Sequence, residues 1–468
     1  MVVATENVGW SGALPELTSY LQAQRDRLVE ELCEFVRIPG VAADDPAAVR
    51  RTAEAVAAKC EKSGLGARIE ETSGNPVVVA SVGPDDAPLR LLTYGHYDVF
   101  PVRGQAGWET EPFEPTLRGD RIYGRGTGDS KAQFLAHLNA LEWWQRHGGG
   151  VPIKVTMVLE GEEEIGSPHL PEFVERNRDE LAADLCVYSD GAMLGGDQPA
   201  ILFGSRGALC MDFVAHGPDR PLHSGNFGGT VTNPILRLSR LFTEMLAPNG
   251  DLAVPGVERG LPEVTAAERA ALDRMVFDEV AFVGQTGQKP LPVQFGEAYY
   301  ERLLYKPSFN VSGLSGGQTD VLKTLVPTEA LAKVDLRLVG EQDPDAVLEA
   351  IRAFVQERGY DDIEVRKLFS QPPSRTPIEH PYADVVQEAV EIAFGRPVAR
   401  VPSLAGTTPD WVFTKLLGLP TFMVPFGPVD ENHHGPNESA KISLYLGGIR
   451  TIANLIALLA VHQERKRA

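Results

Sequence analysis

The residues of this chain that could do chemistry fall in five short groups. His96-Tyr97-Asp98 follows an apolar run at residues 89–94, Glu160-Gly161-Glu162-Glu163-Glu164 closes another at 153–159, and Ser189-Asp190 closes a third at 185–188. His433-His434 follows the run at 420–425 after a short loop, and Gly124-Arg125-Gly126-Thr127-Gly128-Asp129-Ser130-Lys131 precedes a helical pattern. Imidazoles and carboxylates are the donors that hold divalent cations. An HxD pair puts both side chains on one face of an extended segment, so the carboxylate can fix the imidazole's tautomer. An acidic run ending a buried strand crowds like charges where only a cation makes them tolerable. Each group alone also fits a commonplace role: a surface turn for His96-x-Asp98, a solvated helix start for residues 160–164, a cap for Asp190, a loop histidine for His434.

Elements must bring these groups together. Leu17, Leu21, Leu28, Leu32 and Phe35 recur at helical spacing until Pro39-Gly40, and a second helix is expected at 46–60. Residues 77–82, 89–94, 153–159 and 185–188 read as strands, and 132–146 as a helix stopped by Gly148-Gly149-Gly150. This alternation predicts an α/β fold, a mixed central sheet flanked by helices, whose strands present ligands at their C-terminal ends. From about residue 201 the style changes. Leu209, Met211 and Phe213 alternate as a half-exposed strand, a helix opens near Asn233-Pro234, and strand, helix, strand follow at 331–339, 344–358 and 363–368. The proline-rich stretch 371–381 reads as a linker, after which α/β character returns with a helix at 382–394, a strand at 420–425 and a last helix carrying Ile442, Leu446, Ile449, Ile452 and Leu459. The expected architecture is a catalytic metal-binding domain, residues 1–204 and 376–468, interrupted by a smaller α+β sandwich domain, residues 205–375.

Composition narrows the functional classes. The 468 residues carry 64 Asp and Glu against 44 Lys and Arg, a formal charge of −20, so a phosphate backbone or anionic lipid surface is repelled. Neither nucleic acid nor membrane is an expected partner. No uninterrupted apolar run reaches the ~18–20 residues of a membrane span, and residues 1–10 show neither the basic nor the apolar part of a leader, which points to the cytoplasm. Cys33, Cys60, Cys186 and Cys210 form no CxxC pair and read as reduced thiols.

Three rival motifs deserve weighing against metal chemistry. Gly124-x-Gly126 opens like a dinucleotide fingerprint, but Asp129 occupies the third glycine position, where pyrophosphate would meet a negative charge. A phosphate-binding loop fails because Ser130, not glycine, precedes Lys131. Gly313-Leu314-Ser315-Gly316-Gly317 matches GxSxG, so a serine esterase using Ser315 is a remote alternative; its nucleophile elbow needs a strand before the serine and a helix after it, whereas Asn310-Val311-Ser312 reads as too short and polar for a strand and the motif falls in the inserted domain.

Taken in order, His96-x-Asp98, the glycine-rich segment through Asp129, Glu163-Glu164-x-Gly166-Ser167, Ser189-Asp190 and His434 resemble the co-catalytic di-zinc metallopeptidases. That family contains carnosinases, cytosolic nonspecific dipeptidases, carboxypeptidase G, aminoacylase and the acetylornithine and succinyl-diaminopimelate deacylases; the dipeptidase branch is the nearest in pattern. The resemblance implies that His96 and Asp190 ligate one metal, Glu164 and His434 the other, and that Asp129 bridges them through a peptide bond to Ser130 that is cis. It further implies that Asp98 orients His96 and that Glu163 is the general base for attack by a metal-bridging hydroxide on an amide. His223, in Leu222-His223-Ser224-Gly225, resembles the lid histidine that stabilises the oxyanion in the opposite subunit, Arg337 the lid arginine that binds the substrate carboxylate, and Gly406 the substrate-loop glycine. Ser403 stands where the carnosinase pattern has arginine. Two divalent ions, zinc or else manganese or cobalt, a homodimer formed through the lid domain, and a small peptide substrate are therefore expected. An N-acyl amino acid substrate, cleaved by a deacylase or carbamoylase of the same chemistry, is the alternative.

Overall fold

The computed structural model describes residues 13–275, 277–288 and 299–467; residues 1–10, read above for a leader, lie outside them. Four apolar runs become neighbouring parallel strands, in spatial order Lys154–Glu160, Arg90–His96, Leu185–Tyr188 and Thr421–Met423. Parallel neighbours point their C-terminal ends to one edge, and that edge receives His96, the acidic run, Asp190 and the loop leading to His434. The strands at 89–94 and 153–159 are shifted toward the site relative to the sequence reading, because His96 pairs in register with Glu160. Gly66–Glu70 and Val77–Val82 extend one side as antiparallel strands, and Ala200–Leu202 and Ala399–Val401 complete the eight-stranded mixed sheet on the other.

Burial explains why these runs are largely apolar. Leu92, Met157, Val158, Leu159, Leu185 and Cys186 are all fully buried, and burying each large aliphatic side chain contributes ~1.5–3 kcal/mol. Helix Pro46–Lys62 starts where Asp45 accepts the Ala48 amide at 2.9 Å and Pro46 presets the first turn. Helix Ala132–Arg146 packs against the C-terminal helix Ile442–Arg467, with Trp144 Nε1 donating to the Ala453 carbonyl at 3.1 Å. Within that last helix, Ile442–Gln463 is long and apolar enough to cross a membrane although Arg450, Thr451 and Asn454 interrupt it; 72% of its most apolar window is buried inside the protein, as befits a core helix.

The chain separates into two compact units. One takes the chain up to Phe203 with Thr376–Val401 and the chain from Val412 on; the other is Gly204–Arg375 with Pro402–Trp411. Pro402–Trp411 thus groups with the second unit, whereas the sequence reading left it with the first. Part of the expected linker is structured, since Ser374–Arg375 pairs antiparallel with Gly204–Ser205. The second unit is α+β: a four-stranded antiparallel sheet in the order Ser308–Gly316, Glu329–Leu338, Gly207–His216, Ile363–Gln371. Helices Pro234–Met245 and Pro344–Glu357, capped by Asn233 and Asp343, cover it over a core that includes Leu209, Phe213, Leu238, Leu241, Leu336 and Ile351. Ser315 lies inside the first of these strands, paired with Leu331, so the strand-to-helix turn of a nucleophile elbow is not formed there. The segment before Ser315, judged too short and polar for a strand, is one because its partner strand supplies the pairing.

Candidate metal centre

Asp129 is the centre of the cluster. It sits in an irregular turn, Thr127–Lys131, outside helical dihedrals, and its peptide bond to Ser130 is cis, as the resemblance implies. Gly126 enters this turn at φ +83°, and a Cβ there would come within 2.5 Å of Val99, so only glycine fits. Oδ1 of Asp129 lies 3.1 Å from His96 Nε2, which is 3.8 Å from Asp190 Oδ2; Oδ2 lies 3.0 Å from His434 Nε2, itself 3.0 Å from Glu164 Oε2. His96, Asp98, Asp129, Glu163, Glu164, Asp190 and His434 all belong to the first unit. Donor atoms of His96, Asp129 and Asp190 lie within 4.8 Å of one another, and so do those of Asp129, His433 and His434.

Asp98 ties the first histidine to the acidic run. Its Oδ1 is 3.3 Å from His96 Nδ1, and its two oxygens accept the amides of Glu163 and Glu164 at 3.2 and 3.1 Å. The acidic run divides by role. Glu160 turns inward to accept from Tyr94 and Ser167, and burial pushes its carboxyl up to about 8; Glu162 meets His169 and the Asn75 amide. Glu163 and Glu164 remain for the cluster. Burial first, then neighbouring carboxylates, push both well above the usual range. Burial opposes charge at His96 as well, yet Asp129, Asp98 and the nearby acids outweigh it and push the imidazole well up. Burial also opposes ionisation of Asp129, but hydrogen bonds to His434 and His96 hold its carboxyl well below the ordinary range.

This excess of buried negative charge fits divalent cations. Glu164 Oε1 is buried without a hydrogen-bond partner among the described residues, and imidazole with carboxylate is a donor set for zinc and its neighbours.

Sequence reasoning passed over the residues that hold the site's loops. Glu438, fully buried, accepts the amides of Gly126, Gly128 and Asp129 at 3.1, 2.9 and 3.1 Å and pairs with buried Arg125 at 2.6 Å. Gln133 donates to the carbonyls of Gly128 and Gly191 and accepts from the Phe426 amide, joining three loops of the site. Phe100 stacks on His434 with centroids 4.0 Å apart, and Gln105 donates to the His434 carbonyl. The signal available was Glu438 itself, four residues beyond His434 in a loop otherwise made for turning.

The other three predicted residues belong to the second unit. His223 is exposed and caps the short helix Ser224–Phe227 by accepting the Gly225 amide. Arg337 donates to Thr407 Oγ1 at 2.7 Å, and the Gly406 carbonyl accepts from the Arg206 amide.

A mixed α/β sheet that gathers imidazoles and carboxylates at the C-terminal ends of its parallel strands makes a candidate site for divalent cations. The chain belongs to Peptidase family M20/M25/M40, whose model matches residues 92–458, and is an enzyme of that metallopeptidase family. It is 26% identical over 468 residues to the Beta-Ala-His dipeptidase of Rattus norvegicus, with 95% of each chain covered. The Cys-Gly metallodipeptidase of Saccharomyces cerevisiae is 27% identical over 81% of each chain. Among solved structures, an M20 family metallo-carboxypeptidase from Sulfolobus solfataricus superposes with a TM-score of 0.86 at 30% identity, covering 93% of this chain and 99% of that one.

Proposed function

We propose that this enzyme is a dinuclear metal-dependent dipeptidase that hydrolyses the amide bond of dipeptides or small peptides with a free carboxylate. The observation that carries the reading is Asp129, whose two oxygens face different donor groups, His96 on one side and His434 on the other. His96 and Asp190 would hold one cation, Glu164 and His434 the second, with Asp129 shared. Zinc suits these donors, and manganese or cobalt fits the same set, so availability decides. Bound cations supply Lewis acidity, polarising the scissile carbonyl and making water more acidic.

The protein's own groups do the rest. Glu163 takes the proton of the attacking water at its carboxylate and passes it to the departing amine. Asp98 fixes His96 through Nδ1 and, by accepting both amides, sets Glu163 and Glu164 in register. His223 donates to the tetrahedral oxyanion in the opposite subunit of a homodimer, Arg337 grips the substrate carboxylate with its planar fork, and Gly406 lies in the substrate loop. Two relatives, the Beta-Ala-His dipeptidase of Rattus norvegicus and the Cys-Gly metallodipeptidase of Saccharomyces cerevisiae, support the substrate class. The Sulfolobus solfataricus structure favours a second reading, a carboxypeptidase acting on longer chains.

Substrate length decides between them. Metal-reconstituted protein is given dipeptides, peptides of four to six residues and N-acyl amino acids side by side. Cleavage confined to the shortest peptides is expected; stepwise release of C-terminal residues from the longer ones supports the carboxypeptidase, and turnover of acylated amino acids alone supports a deacylase. Sedimentation is expected to show a dimer, and a fully active monomer contradicts the role given to His223.

A further inference from the structure

His433 has no part in the reading above, yet it is built into the same cluster. Its Nε2 lies 3.3 Å from Asp129 Oδ2 and its Nδ1 lies 3.4 Å from Glu431 Oε1. His96 shows the same arrangement at the other oxygen, with Nε2 3.1 Å from Asp129 Oδ1 and Nδ1 3.3 Å from Asp98 Oδ1. Histidines that ligate metals characteristically give their second nitrogen to a carboxylate or carbonyl, which fixes ring and tautomer. His434 is held differently, by its stacking on Phe100.

Glu431 is placed for this role by the backbone around it. It is 2% exposed, and a Cβ on Gly128 or Gly427 would come within 2.6 or 2.1 Å of its Oε2, so both glycines are needed for the side chain to lie where it does. Its Oε2 is buried with no hydrogen-bond partner among the described residues. A carboxylate buried this way needs a partner, and the His433 imidazole is the group beside it. The two rings, His433 and His434, stack at 4.1 Å with both Nε2 atoms turned to the same Asp129 oxygen.

We infer that His433, aimed by Glu431, is a further nitrogen ligand for the cation on the Oδ2 side of Asp129. That side then carries two imidazoles, His433 and His434, with Glu164, against the single imidazole of His96 with Asp190 on the Oδ1 side. The inference rests on the two-cation reading and makes the two positions unequal. The nitrogen-richer position favours zinc, nickel and copper over manganese, so the cations differ in affinity and in ease of exchange.

The test is metal binding without substrate. Wild type, His433→Ala, His433→Gln and Glu431→Gln, with His434→Ala and His96→Ala as controls, are stripped, titrated with Zn²⁺ against a chromophoric chelator, and separately loaded with Co²⁺ for visible absorption. Both His433 variants are expected to weaken one cation by at least ~10-fold, leave the other unchanged and alter the Co²⁺ bands, with Glu431→Gln weakening the same cation ~10-fold. Unchanged affinities and spectra in both His433 variants, while His434→Ala loses a cation, overturn the inference alone. Full metal binding with a raised KM overturns it too and places His433 against the substrate. If His434→Ala and His96→Ala also bind metal as wild type does, the two-cation reading itself falls.

Discussion

Glu438 carries no chemistry of its own, yet it holds the turn on which Asp129 stands by accepting the amides of Gly126, Gly128 and Asp129. Its pairing with Arg125, both side chains fully buried, makes removal of one partner costly because the other charge is left unpaired. Glu438→Gln is expected to lower unfolding stability by ~3–5 kcal/mol and metal affinity ~10–100-fold. Urea unfolding and chelator competition measure the two, and a variant unchanged in both contradicts the role. Residue types and spacing marked the groups at the ends of apolar runs, the resemblance to the di-zinc metallopeptidases picked His96, Asp98, Asp129, Glu163, Glu164, Asp190 and His434 out of them and the glycine-rich segment, and all seven lie in the first unit. Glu438, Gln133 and Arg125 stayed hidden for a physical reason. Glu438 and Gln133 bond backbone groups of loops as distant in sequence as Gly126 and Phe426, and Arg125 pairs with Glu438 more than 300 residues away, so the bonds exist only in the folded chain. Glu160 and Glu162 were indistinguishable from Glu163 and Glu164 for the same reason.

At the level of elements, His137 shows how a helix is tied to the strand ends. It lies on helix Ala132–Arg146, fully buried, between Thr93 Oγ1 and Ser189 Oγ at 2.8 Å each, next to Asp190. Burial lowers it to about 3 from its ordinary 6.5. The folded protein therefore refuses a proton that the unfolded chain accepts below pH 6.5, so stability falls as pH drops from 6.5 toward 3. His137→Gln is expected to flatten this dependence. Unfolding free energies of both proteins at pH 7.5 and 5 measure it, and an equal drop in both contradicts it. The long elements were legible because the seven mostly apolar residues of Lys154–Glu160 or the fourteen helical positions of Pro381–Phe394 are long enough to carry a pattern. Ala200–Leu202 and Ala399–Val401 were not, since three residues carry none and their pairing is settled by partners far along the chain. The strand Ser308–Gly316 was misjudged because it is polar and largely exposed.

For the whole molecule, the formal charge of −20 includes the carboxylates of Asp98, Asp129, Glu163, Glu164 and Asp190, gathered with His96, His433 and His434 at one sheet edge. Cations bound there act on folding by mass action, at ~2.7 kcal/mol for free metal at a hundred times its Kd. Chelation is expected to lower the melting temperature and Zn²⁺ to restore it, while Asp129→Asn should lose this response; a melting temperature indifferent to metal contradicts the cluster's role.

The central claim, that this cluster holds two cations so that Glu163 can move a proton during amide hydrolysis, is tested by one paired measurement. Metal content and dipeptide turnover are determined on the same preparations of wild type and Glu163→Gln. The account predicts two divalent ions per chain in both proteins, with turnover in the variant reduced ~10²–10⁴-fold. A Glu163→Gln protein that keeps its metals and cleaves dipeptides at the wild-type rate would contradict it.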